Sequence, residues 1–303
     1  MAERLAAIDC GTNSVRLLVA EVVDGRVRTI ERALHLTRLG QGVDASGRFH
    51  PDALARTLAA FDDFAARLDA LGVSRRRVVA TSAARDAADS SAFFDGVLAR
   101  AGVPAEIISG QEEALLSFTG AVSGLGQLPQ PVLVTDIGGG STELVLGGAG
   151  AVRQSTSLDI GSVRVRERFL ASDPPTPAEV ADASRYIDGL LDASGISFDE
   201  VATFVGVGGT ATSLAALALR LPVYDSSRVH GTVVACDDLT VLTDMLLVTP
   251  VREVLALPTM VPGRADVICA GGLICRRIAA RLELPLHVSE TDILDGIIRG
   301  LAA

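Results

Sequence analysis

Apolar and polar positions along the chain change period several times, and each change marks an element. Leu5–Asp9, Val15–Val22 and Val27–Leu34 are short apolar or alternating runs separated by a glycine turn and by Asp24-Gly25, which predicts a β-meander. From Pro51 the period lengthens to three and four: Leu54, Leu58, Phe61, Phe64, Leu68 and Leu71 form one stripe closed by Gly72, an amphipathic helix. Strand and helix then alternate as Arg77–Thr81, Ala84–Arg100, Ala105–Ile108 and Gln111–Val122. The charge-free stretch Ser123–Pro131, rich in glycine and proline, reads as a linker.

Beyond it the opening pattern returns. Val132–Asp136 is a strand, Ile137–Ser141 a glycine turn, and Thr142–Leu146 and Val152–Ser157 are two further strands. Asp9, Gly11, Ser14 and Leu17 reappear as Asp136, Gly138, Ser141 and Leu144, every position offset by 127 residues. Helices are expected at Pro177–Leu191, Thr210–Leu219, Asp238–Leu247, Arg264–Leu282 and Asp292–Leu301, with a strand at Leu286–Val288. The result is a mixed α/β chain in two domains, domain I at 1–122 plus 290–303 and domain II at 123–289.

Composition narrows the chemistry. The 303 residues contain 27 basic side chains, every one an arginine, against 37 acidic ones, a net charge of -10. A chain without lysine cannot be a P-loop nucleotidase, a protein kinase or a Schiff-base enzyme. The acidic balance argues against nucleic acid and against anionic membrane surfaces. The uncharged run Val201–Leu219 is interrupted by Gly206, Gly208, Gly209, Thr210, Thr212 and Ser213, so a buried strand, turn and helix fit it better than a membrane span. Four scattered cysteines and four scattered histidines offer no zinc spacing, and the N-terminus lacks a signal-peptide core, so a cytoplasmic location is expected.

Each repeated turn can present successive backbone N–H groups to an anion, since glycine keeps side chains out of the way. A third glycine cluster, Gly206–Ala211, lies between an apolar strand and a helix start. It matches the dinucleotide fingerprint only superficially, being far from the first strand and lacking a ribose-binding acid.

Six ordered motifs carry a family resemblance: Asp9–Arg16, Thr81–Ala87, Ile108–Ala114, Asp136–Glu143, Gly206–Thr210 and Arg264–Asp266. Together they resemble the exopolyphosphatase and guanosine pentaphosphate phosphohydrolase family from residue 8 to about residue 300. The resemblance implies the actin-like ATPase (sugar kinase, Hsp70, actin) fold, two ribonuclease-H-like domains around a phosphate-binding cleft. It implies Glu113 as the base that activates water, and Asp136 and Glu143 as carboxylates near Mg²⁺ or another divalent cation. Gly11, Thr12, Asn13, Ser14, Arg16, Ser82, Arg85, Gly138, Gly139, Gly140, Ser141, Thr142, Gly208, Gly209 and Thr210 are the matching phosphate contacts. Inorganic polyphosphate is the implied substrate; the alternatives are a guanosine pentaphosphate 5′-phosphohydrolase, or a weakly active or non-catalytic binder of guanosine tetraphosphate or polyphosphate, and a homodimer is the implied assembly. Two departures stand out: Asp89 replaces the usual Asn, and Ser289–Gly296 lacks an arginine usual near the end. With no lysines and no further helical region after Ala303, short or medium chains are the expected preference.

Overall fold

The computed structural model describes every residue except 1–2, 12–13, 24–25, 42, 44–46, 82–83, 85–86, 89 and 303. The chain divides into two compact units, unit 1 comprising Met1–Gly120 with Ile293–Ala303 and unit 2 comprising Ala121–Asp292.

Unit 1 is built on strands β1 (Glu3–Cys10), β2 (Ser14–Val23), β3 (Arg26–Leu36), β4 (Arg75–Ala80) and β5 (Ala105–Ile107), in the order β3-β2-β1-β4-β5. The first three pair antiparallel, whereas β4 and β5 run parallel to β1. Helix α1 (Pro51–Ala70) connects β3 to β4, and α2 (Ser91–Ala101) connects β4 to β5. Alternation along β1 divides the burial: Ala6, Ile8 and Cys10 join the phenylalanines Phe61, Phe64 and Phe93 on one face, and Leu5 and Ala7 face the other. That second face is covered by α11 (Ile293–Ala302), whose Ile293, Ile297 and Ile298 are buried there. Helix α3 (Gly110–Val122) meets α11 at Gly296, where a Cβ would stand 2.1 Å from the Leu116 carbonyl oxygen.

Unit 2 repeats this plan. Its strands are β6 (Val132–Ile137), β7 (Thr142–Gly148), β8 (Ala151–Leu158), β9 (Thr203–Val207), β10 (Val233–Val234) and β11 (Leu286–Val288), in the order β10-β11-β9-β6-β7-β8. Read from β8 inward, the order and the directions reproduce those of unit 1, with the two-residue β10 added at the edge. Helices α4 (Ser162–Phe169) and α5 (Pro177–Asp192) separate β8 from β9. Helix α6 (Gly208–Ala218), the single turn α7 (Ser226–Val229), α8 (Cys236–Val248), the single turn α9 (Val251–Val254) and α10 (Ile268–Leu282) lie between β9 and β11. One apolar cluster fills this unit, with Leu133, Phe204, Leu214 and Ile274 among its fully buried members.

Three differences from the sequence pattern have local causes. Helix α2 begins at Ser91 and does not run on continuously from Ala84: Ala84 is helical, Ala87 and Ala88 leave the helix, and Ser90 stands at the N-cap, a position serine favours. Helix α10 begins at Ile268 rather than Arg264, after a run of turn residues. Helix α4 has no counterpart in the pattern, since Val163, Arg164, Val165 and Arg166 alternate with the period of a strand. Its first N–H groups are instead taken by the preceding glycine turn: Ser162 donates to the Gly138 carbonyl at 2.8 Å, and Val163 and Arg164 donate to that of Gly139 at 2.9 and 3.1 Å. Residues 201–219 form β9 and α6, and no helix among the described residues is long and apolar enough to cross a membrane.

The contact of α11 with α3 is backbone to Cβ, which neither side can relieve by changing rotamer. Gly296→Ala is expected to destabilise the protein by about 1–2 kcal/mol, the overpacking cost outweighing alanine's helix preference. Urea unfolding of the variant measures this, and an unchanged midpoint would refute the close packing of α11 on α3.

Candidate active site

The two repeated hairpins are built alike to the level of single hydrogen bonds. In unit 1 the Gly11 N–H donates to the Ser14 carbonyl at 3.0 Å, and in unit 2 the Gly138 N–H donates to that of Ser141, also at 3.0 Å. One register step behind each turn, the strands place two side chains directly opposite each other. In unit 1 these are Asp9 and Arg16, and in unit 2 they are Asp136 and Glu143.

The two pairs differ in sign and therefore in chemistry. Arg16 donates from Nε and Nη2 to Oδ2 of Asp9, at 3.1 and 2.6 Å, so its charge is already engaged by a buried carboxylate. Asp136 and Glu143 carry like charges at a position where opposed like charges destabilise a sheet by up to about 1 kcal/mol. Only one oxygen of Glu143 is bound by hydroxyls: Ser141 Oγ and Ser157 Oγ both donate to Oε1, at 2.6 and 2.8 Å. Two carboxylates on one sheet face, with hydroxyls fixing one of them, suit Mg²⁺, which takes one or two carboxylates and completes its shell with water and phosphate oxygens. No group of three or more metal-ligating side chains occurs among the described residues, so a cage of the zinc kind is absent from them.

Around this pair the backbone is fixed. The Gly138 and Gly139 carbonyls point into the start of α4, and no backbone carbonyl takes the N–H of Gly139 or Gly140 among the described residues. Both glycines are exposed, so these two amides are open to an anion. Gly161 lies so close behind that a Cβ on it would stand 2.2 Å from the Gly139 oxygen. Gly208, at φ +75°, opens α6 against Asp136, whose Oδ1 would lie 2.5 Å from an added Cβ. At Gly209 an added Cβ would meet Nη2 of Arg264 at 2.1 Å. Burial lowers the pKa of Arg264, while the charges of Asp136 and Asp266 act to raise it. Its guanidinium thus sits, partly buried, near Asp136 and the α6 N-terminus.

In unit 1, Ser109 caps α3 by accepting the Glu112 N–H at 3.2 Å. The adjacent glutamates of that helix differ in their surroundings. Arg77 binds the Glu112 carboxylate at 2.7 Å and that of Glu106 at 2.8 Å, and Glu113 lies half-buried one residue on.

The Ppx/GppA phosphatase family model matches residues 18–302. The chain belongs to the Ppx/GppA phosphatase family. Exopolyphosphatase 2 of Mycobacterium tuberculosis is 45% identical to it over 315 aligned positions, covering 99% of this chain and 98% of that protein. The crystal structure of the Aquifex aeolicus Ppx/GppA family member superposes with a TM-score of 0.89 at 32% identity, covering 99% of this chain and 98% of the other. Nucleoside triphosphate hydrolases from Neospora caninum share the fold alone, at 12% identity and a TM-score of 0.58, with 98% and 92% of the two chains covered. The repeated two-sheet architecture is the actin-like ATPase fold.

Within this Ppx/GppA chain, unit 2 brings together Asp136, Glu143, Gly138–Thr142 and Gly208–Thr210. Gly11, Ser14, Arg16 and Glu113 belong to unit 1. Thr12, Asn13, Ser82 and Arg85 lie outside the described residues. Two expectations need correction. Thr142 and Thr210 are fully buried, and their hydroxyls donate to the carbonyls of Ile160 and Ile137, so these side chains brace the turns instead of meeting a ligand. Conversely, Arg264 and Ser157 were not among the predicted site residues. Arg264 opens a family motif and could have been found by asking which arginines replace the missing lysines; Ser157 has no signal, because its role comes from pairing with Glu143 across β7 and β8.

Gly208→Ala combines a left-handed backbone with a collision at Asp136, and is expected to cost about 2 kcal/mol or more. Gly189→Ala, in mid α5 with nothing within 4 Å of the added Cβ, is the control and should gain up to about 1 kcal/mol. Thermal unfolding of both checks this; equal melting temperatures would contradict the packing of Gly208 on Asp136.

Proposed function

We propose that this chain is an exopolyphosphatase, removing terminal orthophosphate from inorganic polyphosphate. One observation carries the reading: an exposed glycine turn stands one register step from two opposed carboxylates, in a chain that matches exopolyphosphatase 2 of Mycobacterium tuberculosis nearly end to end. The open amides of Gly139 and Gly140 bind non-bridging oxygens of the terminal phosphate, and Arg264 adds a fork of donors. Asp136 and Glu143 hold Mg²⁺, with Ser141 and Ser157 fixing the Oε1 edge of Glu143. When bound there, the ion offsets the negative charge of the phosphate chain.

Glu113 is the general base. It orients a water and takes its proton as the oxygen attacks phosphorus in line, and the shortened polyphosphate leaves on the opposite side. Its neighbour Glu112 is instead engaged in an ion pair with Arg77. Short or medium chains are the preferred substrates, since a chain without lysine has only arginines from which to build a cationic track.

Glu113→Gln keeps the size and the hydrogen-bonding capacity of the side chain and removes its basicity. Phosphate release from polyphosphate in the presence of Mg²⁺ is expected to fall about a hundred-fold or more, with substrate affinity nearly unchanged. Full activity in this variant would remove Glu113 from the mechanism.

A further inference from the structure

Arg164, in the first turn of α4, is attached to the glycine turn by two hydrogen bonds and lies along its edge. Its backbone N–H donates to the Gly139 carbonyl at 3.1 Å, its Nε donates to that of Gly140 at 2.8 Å, and its Nη2 is 3.9 Å from where a Gly140 Cβ would stand. The Nε bond fixes the plane of the guanidinium beside the two exposed amides. The remaining donors are lightly held: Nη1 makes no hydrogen bond among the described residues, and Nη2 approaches Asp159 at 3.4 Å, an ion pair without a hydrogen bond. Both partners are solvent-accessible, Arg164 at 48% and Asp159 at 75%, and exposed pairs of this kind contribute little.

Other arginines of unit 2 are committed elsewhere. Arg276, Arg277 and Arg281 hydrogen-bond Asp244, Asp188 and Asp192, and Arg166 is turned to the carbonyls of Leu170 and Ser172. Arg164 alone of these combines an anchored Nε, open donors and a place at the edge of the glycine turn.

We propose that Arg164 is a substrate-binding residue that takes the second phosphate of a chain whose terminal phosphate lies on the Gly139–Gly140 amides. A phosphate oxygen replaces Asp159 as partner of the guanidinium, exchanging a weak exposed ion pair for a charged, forked hydrogen bond. Asp159 then acts as a competitor for the substrate and not as a support for the arginine. The proposal rests on the polyphosphate reading of the site.

Calorimetric titration with tripolyphosphate, in parallel with phosphate release from the same compound, tests it. Arg164→Gln is expected to weaken binding roughly ten-fold or more, the loss of one charged hydrogen bond, and to change kcat much less. Asp159→Asn should leave binding unchanged or tighten it, a result that a purely structural ion pair would not give. Unchanged binding in Arg164→Gln, or equal weakening in both variants, would overturn the assignment. A wild-type protein that binds tripolyphosphate without hydrolysing any polyphosphate would remove the exopolyphosphatase reading and leave the Arg164 contact standing; one that binds no phosphate chain would remove both.

Discussion

Two carboxylates placed opposite each other in a sheet are the constraint around which unit 2 is arranged. Asp136 and Glu143 occupy the register position that Asp9 and Arg16 occupy in unit 1, one step behind a turn closed by the same hydrogen bond. In unit 1 the pair neutralises itself. In unit 2 two like charges face each other instead, with the Arg264 guanidinium near Asp136. A single change of residue type within a duplicated hairpin thus separates an ion pair from two opposed carboxylates, the pair proposed to hold a metal.

The surroundings make that pair costly to displace. Gly208 and Gly209 leave room for Asp136 and Arg264, and Gly161 lets the backbone of α4 approach the turn. The buried hydroxyl of Thr142 ties β7 to the Ile160 carbonyl, and that of Thr210 ties α6 to the Ile137 carbonyl at the turn. The contact at Gly161 falls on the backbone of Gly139 and Gly140, so side-chain rotation cannot relieve it. Carbonyls of the turn are absorbed by the first turn of α4, and this leaves amides as the polar groups it presents outward. Preorganisation of this kind suits a site that must recognise phosphate oxygens without lysine.

How far the sequence showed this depended on whether a feature was local. The hairpins were legible, because Asp, Gly, Ser and Leu at fixed spacing encode a strand, a turn and a strand whatever lies around them. The 127-residue offset carried the same message twice, and the equivalence of the two sheets follows from it. Helix α4 was not legible, since Val163 to Arg166 alternate like a strand and become helical through bonds to Gly138 and Gly139, residues more than twenty positions away. Thr142 and Thr210 looked like ligand contacts by type, yet burial decides the fate of a hydroxyl, and burial is a property of the assembled unit. Arg264 escaped for the converse reason: a turn between residues 261 and 267 brings it beside Gly209.

Asp136 and Glu143 are proposed to be a charge pair held for a cation. Chemical unfolding of the wild type and of Glu143→Gln, each with and without Mg²⁺, measures this without relying on turnover, since glutamine can still accept from Ser141 and Ser157. The wild type should gain stability with Mg²⁺, whereas the variant should be at least as stable as the wild type in the metal-free state and should not respond to the ion. A wild type indifferent to Mg²⁺, together with a variant destabilised in its absence, would contradict the account.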